Sequence, residues 1–126
     1  MSDNLYAENI LERYKNPINK GKLENADANA SEVNPLCGDE IEVSIKVDNG
    51  NISDAKFIGT GCAISQASVD ILLDQIKGRS IKDVAVIDKE NFIKNLGIEI
   101  SAIRLKCALL GFKAVKIAAL KLISGI

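Results

Sequence analysis

The segment IEVSIKVDNGNISDAKFI, residues 41–58, predicts a β-hairpin and with it the centre of the fold. In its first half, apolar residues take every second position: Ile41, Val43, Ile45 and Val47. Side chains of a strand point alternately to its two faces, so this pattern predicts a half-buried strand over 41–47. The pair Asn49-Gly50 predicts a tight turn, because both residues tolerate positive φ. A return strand is predicted over about 52–58.

Helical patterns lie on both sides of the hairpin. Residues 3–15 have helical apolar spacing, and Asn16-Pro17 is expected to end that helix, because a residue before proline avoids the α conformation. The polar residues 19–34 are interpreted as a loop or a weak edge strand. Gly59-Thr60-Gly61 is expected to break the return strand. Further helices are predicted over about 62–77, 80–86, 88–96 and 102–123.

The order of the predicted elements is one helix, then strands, then further helices. This order predicts an α+β fold, in which a small antiparallel sheet of about three strands has helices packed on one face. The chain has 126 residues, of which 47% are hydrophobic and 26% charged. This length and composition predict a single globular domain over residues 1–126.

Charge and hydropathy exclude several classes of partner. The net charge is −1, so no strong field attracts nucleic acid or an anionic membrane. The N-terminus lacks the basic and apolar regions of a signal peptide. The apolar C-terminal helix carries five basic residues, which is incompatible with a membrane span. We therefore expect a cytoplasmic protein without nucleic-acid or membrane partners.

The chain contains no histidine and three cysteines. Without histidine, Ser-His-Asp and Cys-His catalysis and histidine-ligated zinc are excluded. An odd number of cysteines in a chain without an export signal argues against a disulfide framework, and no CxxC pair supports a thioredoxin-like site or a zinc ribbon. The cysteines are therefore interpreted as thiolate ligands, reactive thiols or small buried apolar residues.

Cys37 lies in the stretch NPLCGD, residues 34–39, just before the first predicted strand. Proline and glycine on either side predict a bent, exposed loop. Gly38 has a wide conformational range, which would let Cys37 and Asp39 point at a shared centre. The alternative is an ordinary turn in which Asp39 is solvated or acts as a cap.

Cys62 follows Gly59-Thr60-Gly61 and is expected to open a helix. Helix N-termini carry unpaired N–H groups and a partial positive charge, which stabilise a thiolate. The Gly-x-Gly turn is not a phosphate loop, because the third glycine of a dinucleotide fingerprint and the Gly-Lys-Ser/Thr of a P-loop are both absent.

Cys107 lies near the start of the last predicted helix, in RLKCA, residues 104–108. Arg104 is three residues earlier, hence roughly on the same helix face, and a cation there would stabilise a thiolate. The alternative is that the arginine only extends past a buried cysteine to solvent. The three local settings predict cysteines at element boundaries or beside cations, with none in the middle of the core.

These motifs together resemble the U-type scaffold family of iron–sulfur cluster assembly, which comprises IscU, SufU and the N-terminal domain of NifU. The resemblance covers nearly the whole chain. It is carried by ILERYKNPINKGKLENAD (10–27), NPLCGDEIEVSIKV (34–47), GTGCAISQASVDIL (59–72) and RLKCALLGFKAVKIAAL (104–120). The resemblance implies a sheet flanked by helices.

The resemblance also implies a function, partners and a ligand set. Such a protein is a scaffold rather than an enzyme: it receives sulfur from a cysteine desulfurase, assembles [2Fe–2S] clusters and passes them to apo-proteins. The implied ligands of the cluster, or of Zn²⁺, are Cys37, Asp39, Cys62 and Cys107. Arg104 and Lys106 would offset the negative charge and favour Cys107 as the first sulfur acceptor, with Cys37 as its rival. A homodimer that shares the cluster is left open.

The sequence around Cys107 combines features of two branches of that family. IscU-type members have histidine directly before the third cysteine, within a proline-rich stretch that a chaperone recognises. This chain has Lys106 at the histidine position and EISAI (99–103) in place of the proline-rich stretch. The Arg-x-Lys-Cys-Ala pattern is similar to SufU, yet the SufU insertion between the second and third cysteines is absent. The alternative function is therefore a zinc-bound, SufU-like sulfurtransferase. A purely structural metal domain is a third interpretation, which Asp39 disfavours because structural zinc sites prefer cysteine and histidine.

Overall fold

The computed structural model of the chain describes residues 10–35, 38–96 and 102–124, and the side chains of the same residues apart from 95, 96 and 102–104. The start of the predicted first helix, Cys37 and the side chain of Arg104 lie outside the described part. Within that part, no helix is both long and apolar enough to cross a membrane.

Three strands form an antiparallel sheet in sequence order: β1 (Ala28–Asn34), β2 (Asp39–Asp48) and β3 (Asn51–Thr60). The helices are α1 (residues 10–15), α2 (Ala63–Ile76), α3 (Ile81–Ala85), α4 (Lys89–Leu96) and α5 (Ala102–Ile123). The predicted α+β fold with a small antiparallel sheet is thus confirmed.

The β2–β3 hairpin turns at Asn49 and Gly50, whose φ angles are 54° and 80°. Positive φ at both central residues suits the twist of a two-residue hairpin, so the predicted turn is confirmed. The strand ends within the predicted segment Gly59-Thr60-Gly61, but two residues later than the predicted end at 58, because Gly59 and Thr60 still pair with β2. A Cβ at position 59 would stand 2.6 Å from the carbonyl oxygen of Glu40, so the glycine permits this close pairing.

The polar segment 19–34 contains both a loop and a strand. Residues 28–34 form β1, an edge strand paired with β2, which confirms the edge-strand interpretation for this part. The loop before it runs along the far edge of β3: the N–H of Phe57 donates to Asn19 at 2.9 Å, and the N–H of Gly21 donates to Phe57 at 2.7 Å. These bonds satisfy backbone groups of β3 that the sheet leaves unpaired.

The core lies between one face of the sheet and the helices. Its largest members on the strands are each at most 1% exposed: Ile41, Val43, Ile45, Ile52 and Phe57. They belong to one apolar cluster with Leu72 and Leu73 of α2 and with Ala114 and Val115 of α5. Full burial of a large apolar side chain stabilises a fold by about 1.5–3 kcal/mol, so this layer is the main source of stability.

A hydrogen-bond network anchors α1 and the segment after it to α2. Asp70 is fully buried and accepts a bond of 2.7 Å from Nε of Arg13. It also accepts from the backbone N–H groups of Ile18 and Asn19, at 3.2 and 2.7 Å. One turn later, Asp74 accepts from Arg13 at 2.6 Å and from the side chain of Asn19 at 2.9 Å. Two carboxylates of one helix thus hold the N-terminal part of the described chain.

This network predicts a pH-dependent contribution to stability from Asp74. Burial acts to raise the pKa of Asp74, but hydrogen bonds from Asn19 and Arg13 and the charges of Arg13 and Lys77 outweigh it, so the pKa lies below its ordinary value. A lowered folded-state pKa stabilises the fold above the unfolded pKa of about 4, and this contribution is lost as pH falls through the folded value. We expect Asp74→Asn to lower the free energy of unfolding at neutral pH and to lose this effect progressively below about pH 4.

Urea denaturation of wild type and Asp74→Asn at neutral pH and at about pH 3 measures this difference. Glu24→Gln, which neutralises an exposed carboxylate in the loop before β1, is the control. The same destabilisation by Asp74→Asn at both pH values would contradict the prediction.

Candidate metal centre

Three side chains from three elements meet at one end of the sheet. Asp39 is the first residue of β2, Cys62 is the N-cap of α2, and Cys107 lies in the second turn of α5. Their ligand atoms, one carboxylate oxygen and two sulfurs, all lie within 4.8 Å of one another. Cys37, the fourth predicted ligand, lies outside the described residues. The fold therefore brings three of the four predicted ligands together, and their binding of a metal stays a prediction.

The carboxylate of Asp39 is buried, and each of its two oxygens contacts Cys62. Asp39 is 1% exposed, and a buried carboxylate requires hydrogen-bond donors. Oδ1 accepts a bond of 2.9 Å from the backbone N–H of Cys62, and Oδ2 lies 3.5 Å from Sγ of the same residue. One oxygen thus caps the N-terminus of α2, where negative charge is favourable, and the other faces the cysteine sulfur.

Cys62 stands at the N-terminus of α2, as predicted, and its side chain makes no capping bond. The sulfur is left to contact Asp39 and, at 3.7 Å, the hydroxyl oxygen of Ser65. That hydroxyl donates to the carbonyl oxygen of Cys62 at 3.0 Å, which fixes its position beside the sulfur. Cys62 is half-buried, so it is the more accessible of the two described cysteines.

Cys107 is 1% exposed and belongs to the buried core residues, so the expectation that no cysteine lies in the middle of the core is wrong for this residue. The reason is the close approach of α5 to α2 one turn later. A Cβ at Gly111 would stand 2.5 Å from the Cβ of Val69, so only glycine allows the helices to pack at this distance. The tight contact covers Cys107 while it keeps the sulfur beside Cys62 and Asp39.

The structure leaves the predicted basic support of Cys107 untested. Lys106 is exposed to solvent, and as the residue before Cys107 in a helix it points to a different side. The side chain of Arg104 lies outside the described part. The roles of both residues stay predictions.

Gly61 and Gln66 also shape the site, and neither was among the predicted site residues. Gly61 has a φ of 126°, and a Cβ there would stand 2.1 Å from Oδ1 of Asp39. Nε2 of Gln66 donates to the carbonyl oxygen of Gly61 at 3.1 Å. The Gly-x-Gly motif before Cys62 could have indicated a role for Gly61 in the site, whereas no feature of the sequence indicated one for Gln66.

The donor set fits a thiophilic metal. Two cysteine sulfurs suit zinc and iron–sulfur clusters, and a carboxylate oxygen is an accepted further ligand of zinc. With Zn–S bonds of about 2.3 Å, two sulfurs of a tetrahedral site lie about 3.8 Å apart. The observed spacing of up to 4.8 Å needs only small side-chain rotations to reach that arrangement. Three donors also leave one tetrahedral position for a fourth ligand.

Comparisons with known proteins agree on a family. The family described as "NifU-like N terminal domain" matches residues 5–124. A protein of Haemophilus influenzae named iron–sulfur cluster assembly scaffold protein IscU is 34% identical over 117 residues, which cover 90% of this chain and 91% of that one. A protein of Bacillus subtilis named zinc-dependent sulfurtransferase SufU is 42% identical over 90 residues. That match covers 69% of this chain and 58% of the length of the relative.

A solved structure has the same fold. The crystal structure of FiSufU, a SUF-system protein from Fervidobacterium islandicum, superposes with a TM-score of 0.75 at 32% identity. The superposition covers 94% of this chain and 99% of that protein. The likeness therefore extends over nearly the whole length of both chains.

The contact between Gly61 and Asp39 predicts a specific cost of substitution. Gly61→Ala must both strain a positive φ and displace the Asp39 carboxylate, which breaks its bond to Cys62. Gly78→Ala is a matched control, because Gly78 has a φ of 86° and no atom within 4 Å of its Cβ position. We expect Gly61→Ala to cost about 1–3 kcal/mol more than Gly78→Ala in urea denaturation. Equal losses of unfolding free energy in the two variants would show that the Asp39 carboxylate moves aside without penalty and is not held by Cys62.

Proposed function

The chain belongs to the NifU-like N-terminal domain family, and from this we propose that it is a scaffold on which [2Fe–2S] clusters are assembled and from which they pass to apo-proteins. The observation that carries the proposal is the meeting of Asp39, Cys62 and Cys107 within 4.8 Å at the end of the sheet. The scaffold name of the Haemophilus relative, which matches over nine-tenths of both chains, supports it. On this proposal the chain is a single-domain, cytoplasmic protein and not an enzyme.

We propose Cys37 as the fourth ligand. It precedes Asp39 by two residues, so covalent geometry alone keeps the two Cα atoms within about 7.6 Å. Three thiolates and one carboxylate would carry four negative charges, and a [2Fe–2S]²⁺ cluster or a Zn²⁺ ion would neutralise two of them. Arg104 and Lys106 are the proposed cations that offset the remainder.

Sulfur would arrive from a cysteine desulfurase as a persulfide. A scaffold thiolate attacks the outer sulfur of that persulfide, forms a new S–S bond, and releases the desulfurase cysteine as a thiolate. Cys107 stays the proposed acceptor, with Cys37 as its rival. Because Cys107 is 1% exposed, this step requires that the start of α5 open away from α2 when the desulfurase docks.

Among the proposed ligands, Asp39 is the one whose chemistry favours release of the cluster. A hard carboxylate oxygen is a poorer partner for cluster iron than a fourth sulfur would be. Here one of its two oxygens is also held by the N–H of Cys62, which draws negative charge away from the metal side. Such a ligand favours transfer of the cluster over its storage.

The second candidate is a zinc-bound sulfurtransferase. The relative from Bacillus subtilis, at 42% identity, is named for this activity, and small side-chain rotations would bring the donors to the spacing of tetrahedral zinc. In this function zinc would hold the thiolates until one is exchanged out to receive sulfur, and the chain would be an enzyme.

Metal analysis of protein purified without oxygen distinguishes the two functions. We expect iron and acid-labile sulfide in equal amounts, with sulfur-to-iron charge-transfer bands in the visible spectrum. Stoichiometric zinc that prevents cluster loading, while sulfur uptake from a desulfurase persists, would instead establish the sulfurtransferase. Protein that binds neither zinc nor a cluster would contradict both.

Replacement of the carboxylate by a thiol tests the role of Asp39 in release. Asp39→Cys supplies a softer fourth ligand, so we expect transfer of a loaded cluster to an apo-ferredoxin to slow by about tenfold. The rate is normalised to the cluster bound, because loss of the bond to Cys62 also lowers stability. Asp83→Cys adds a thiol on the exposed surface of α3 and is the control. Transfer from Asp39→Cys that is as fast as from wild type, or faster, would refute this role.

A further inference from the structure

We propose that Gln66 is a positioning residue that fixes the peptide between Gly61 and Cys62 and thereby sets how firmly Asp39 holds a metal. The proposal rests on the metal site proposed above, and concerns a residue that is not one of its proposed ligands. It follows from hydrogen bonds on the two sides of a single peptide group.

The peptide that joins Gly61 to Cys62 is held from both sides. Its carbonyl oxygen accepts a bond of 3.1 Å from Nε2 of Gln66, and its N–H donates to Oδ1 of Asp39 at 2.9 Å. Gln66 is 9% exposed, so this donor has little competition from water. Because a carbonyl oxygen can only accept, the amide nitrogen of Gln66 is the only group of its side chain that can make this contact.

This peptide needs support because its first residue is glycine. With no Cβ and a φ of 126°, Gly61 permits rotations of the following peptide that any other residue would resist. Rotation by half a turn would take the N–H away from Asp39 and bring the carbonyl oxygen toward the carboxylate, two groups that repel each other. The bond from Gln66 opposes that rotation, since it holds the carbonyl oxygen on the side away from Asp39.

The orientation of this peptide decides which oxygen Asp39 offers. While Oδ1 is bound to the N–H of Cys62, Oδ2 is directed to the sulfur of Cys62 at 3.5 Å, where a shared metal would lie. Without the bond from Gln66, the carboxylate would sample further orientations, and metal binding would have to select among them. Gln66 therefore preorganises Asp39 through the backbone.

Cobalt(II) binding tests the proposal, because thiolate-to-cobalt charge-transfer bands report the sulfur ligands independently of the carboxylate. Gln66→Met removes the donor and preserves the length of the side chain. Gln75→Met makes the same change at an exposed position of the same helix and is the matched control. We expect Gln66→Met to weaken cobalt(II) binding about 3- to 10-fold relative to Gln75→Met, the size expected for one neutral hydrogen bond, with charge-transfer bands of unchanged intensity.

A double-mutant cycle separates positioning from general destabilisation. In an Asp39→Ala background, Gln66→Met should not weaken binding further, because the group that it positions is gone. Equal loss with and without Asp39 would overturn the proposal. Equal cobalt(II) affinities of Gln66→Met and Gln75→Met in a protein that retains Asp39 would also overturn the proposal. That result would leave the proposed metal site itself supported. Wild-type protein without thiolate bands would instead refute the proposed function, and the role of Gln66 with it.

Amide hydrogen exchange in the metal-free wild-type protein gives a second measurement that needs no variant. The N–H of Cys62 should exchange more slowly than those of Ala63 and Ile64, whose positions in the first turn of α2 have no intrahelical acceptor. Exchange at Cys62 as fast as at these two neighbours would mean that the peptide is not held, and would overturn the proposal even if Gln66→Met failed to fold.

Discussion

The bond of 2.9 Å between Oδ1 of Asp39 and the N–H of Cys62 joins the start of β2 to the start of α2. It satisfies a buried carboxylate and one of the N–H groups that every helix leaves unpaired at its N-terminus, so it stabilises both elements at once. It also places a carboxylate oxygen beside a cysteine sulfur. The geometry of the candidate site is therefore a direct consequence of the way in which the sheet is attached to the helix.

This attachment depends on glycine at two points. Because Gly61 has no side chain, the Asp39 carboxylate can reach the N-terminus of α2, where a Cβ at position 61 would occupy the space of Oδ1. Gly111 admits α5 to the surface of α2 at Val69 and so brings Cys107 to the same place. Each glycine removes a side chain where two elements must approach, and together they determine that three donors from distant parts of the sequence can meet.

Features that depend on local sequence were predictable. Alternation over residues 41–47, the Asn49-Gly50 turn and the position of Cys62 at a helix start each follow from a few neighbouring residues. Features that depend on contacts between distant elements were not. The burial of Cys107 results from the packing of α5 on α2, and the continuation of β3 through Gly59 results from its pairing with β2. The resemblance to a known family, rather than spacing, indicated which cysteines would belong together.

The two helices that supply the sulfurs are held by different kinds of force. Asp70 of α2 accepts three directional hydrogen bonds from α1 and the following segment, so a shift of α2 would leave buried polar groups unpaired. At Val69 and Gly111, by contrast, α5 meets α2 through close apolar contact, and the hydrogen bonds that Lys116 and Lys121 donate to the carbonyl oxygens of Ala85 and Asn29 lie further along the helix. A displacement confined to the first two turns of α5 would expose Cys107 and leave the bonds of Asp70 intact, whereas a displacement of α2 would break them. In the first case Cys62 and Asp39 would keep their geometry while the third donor moves, because neither of them lies on α5.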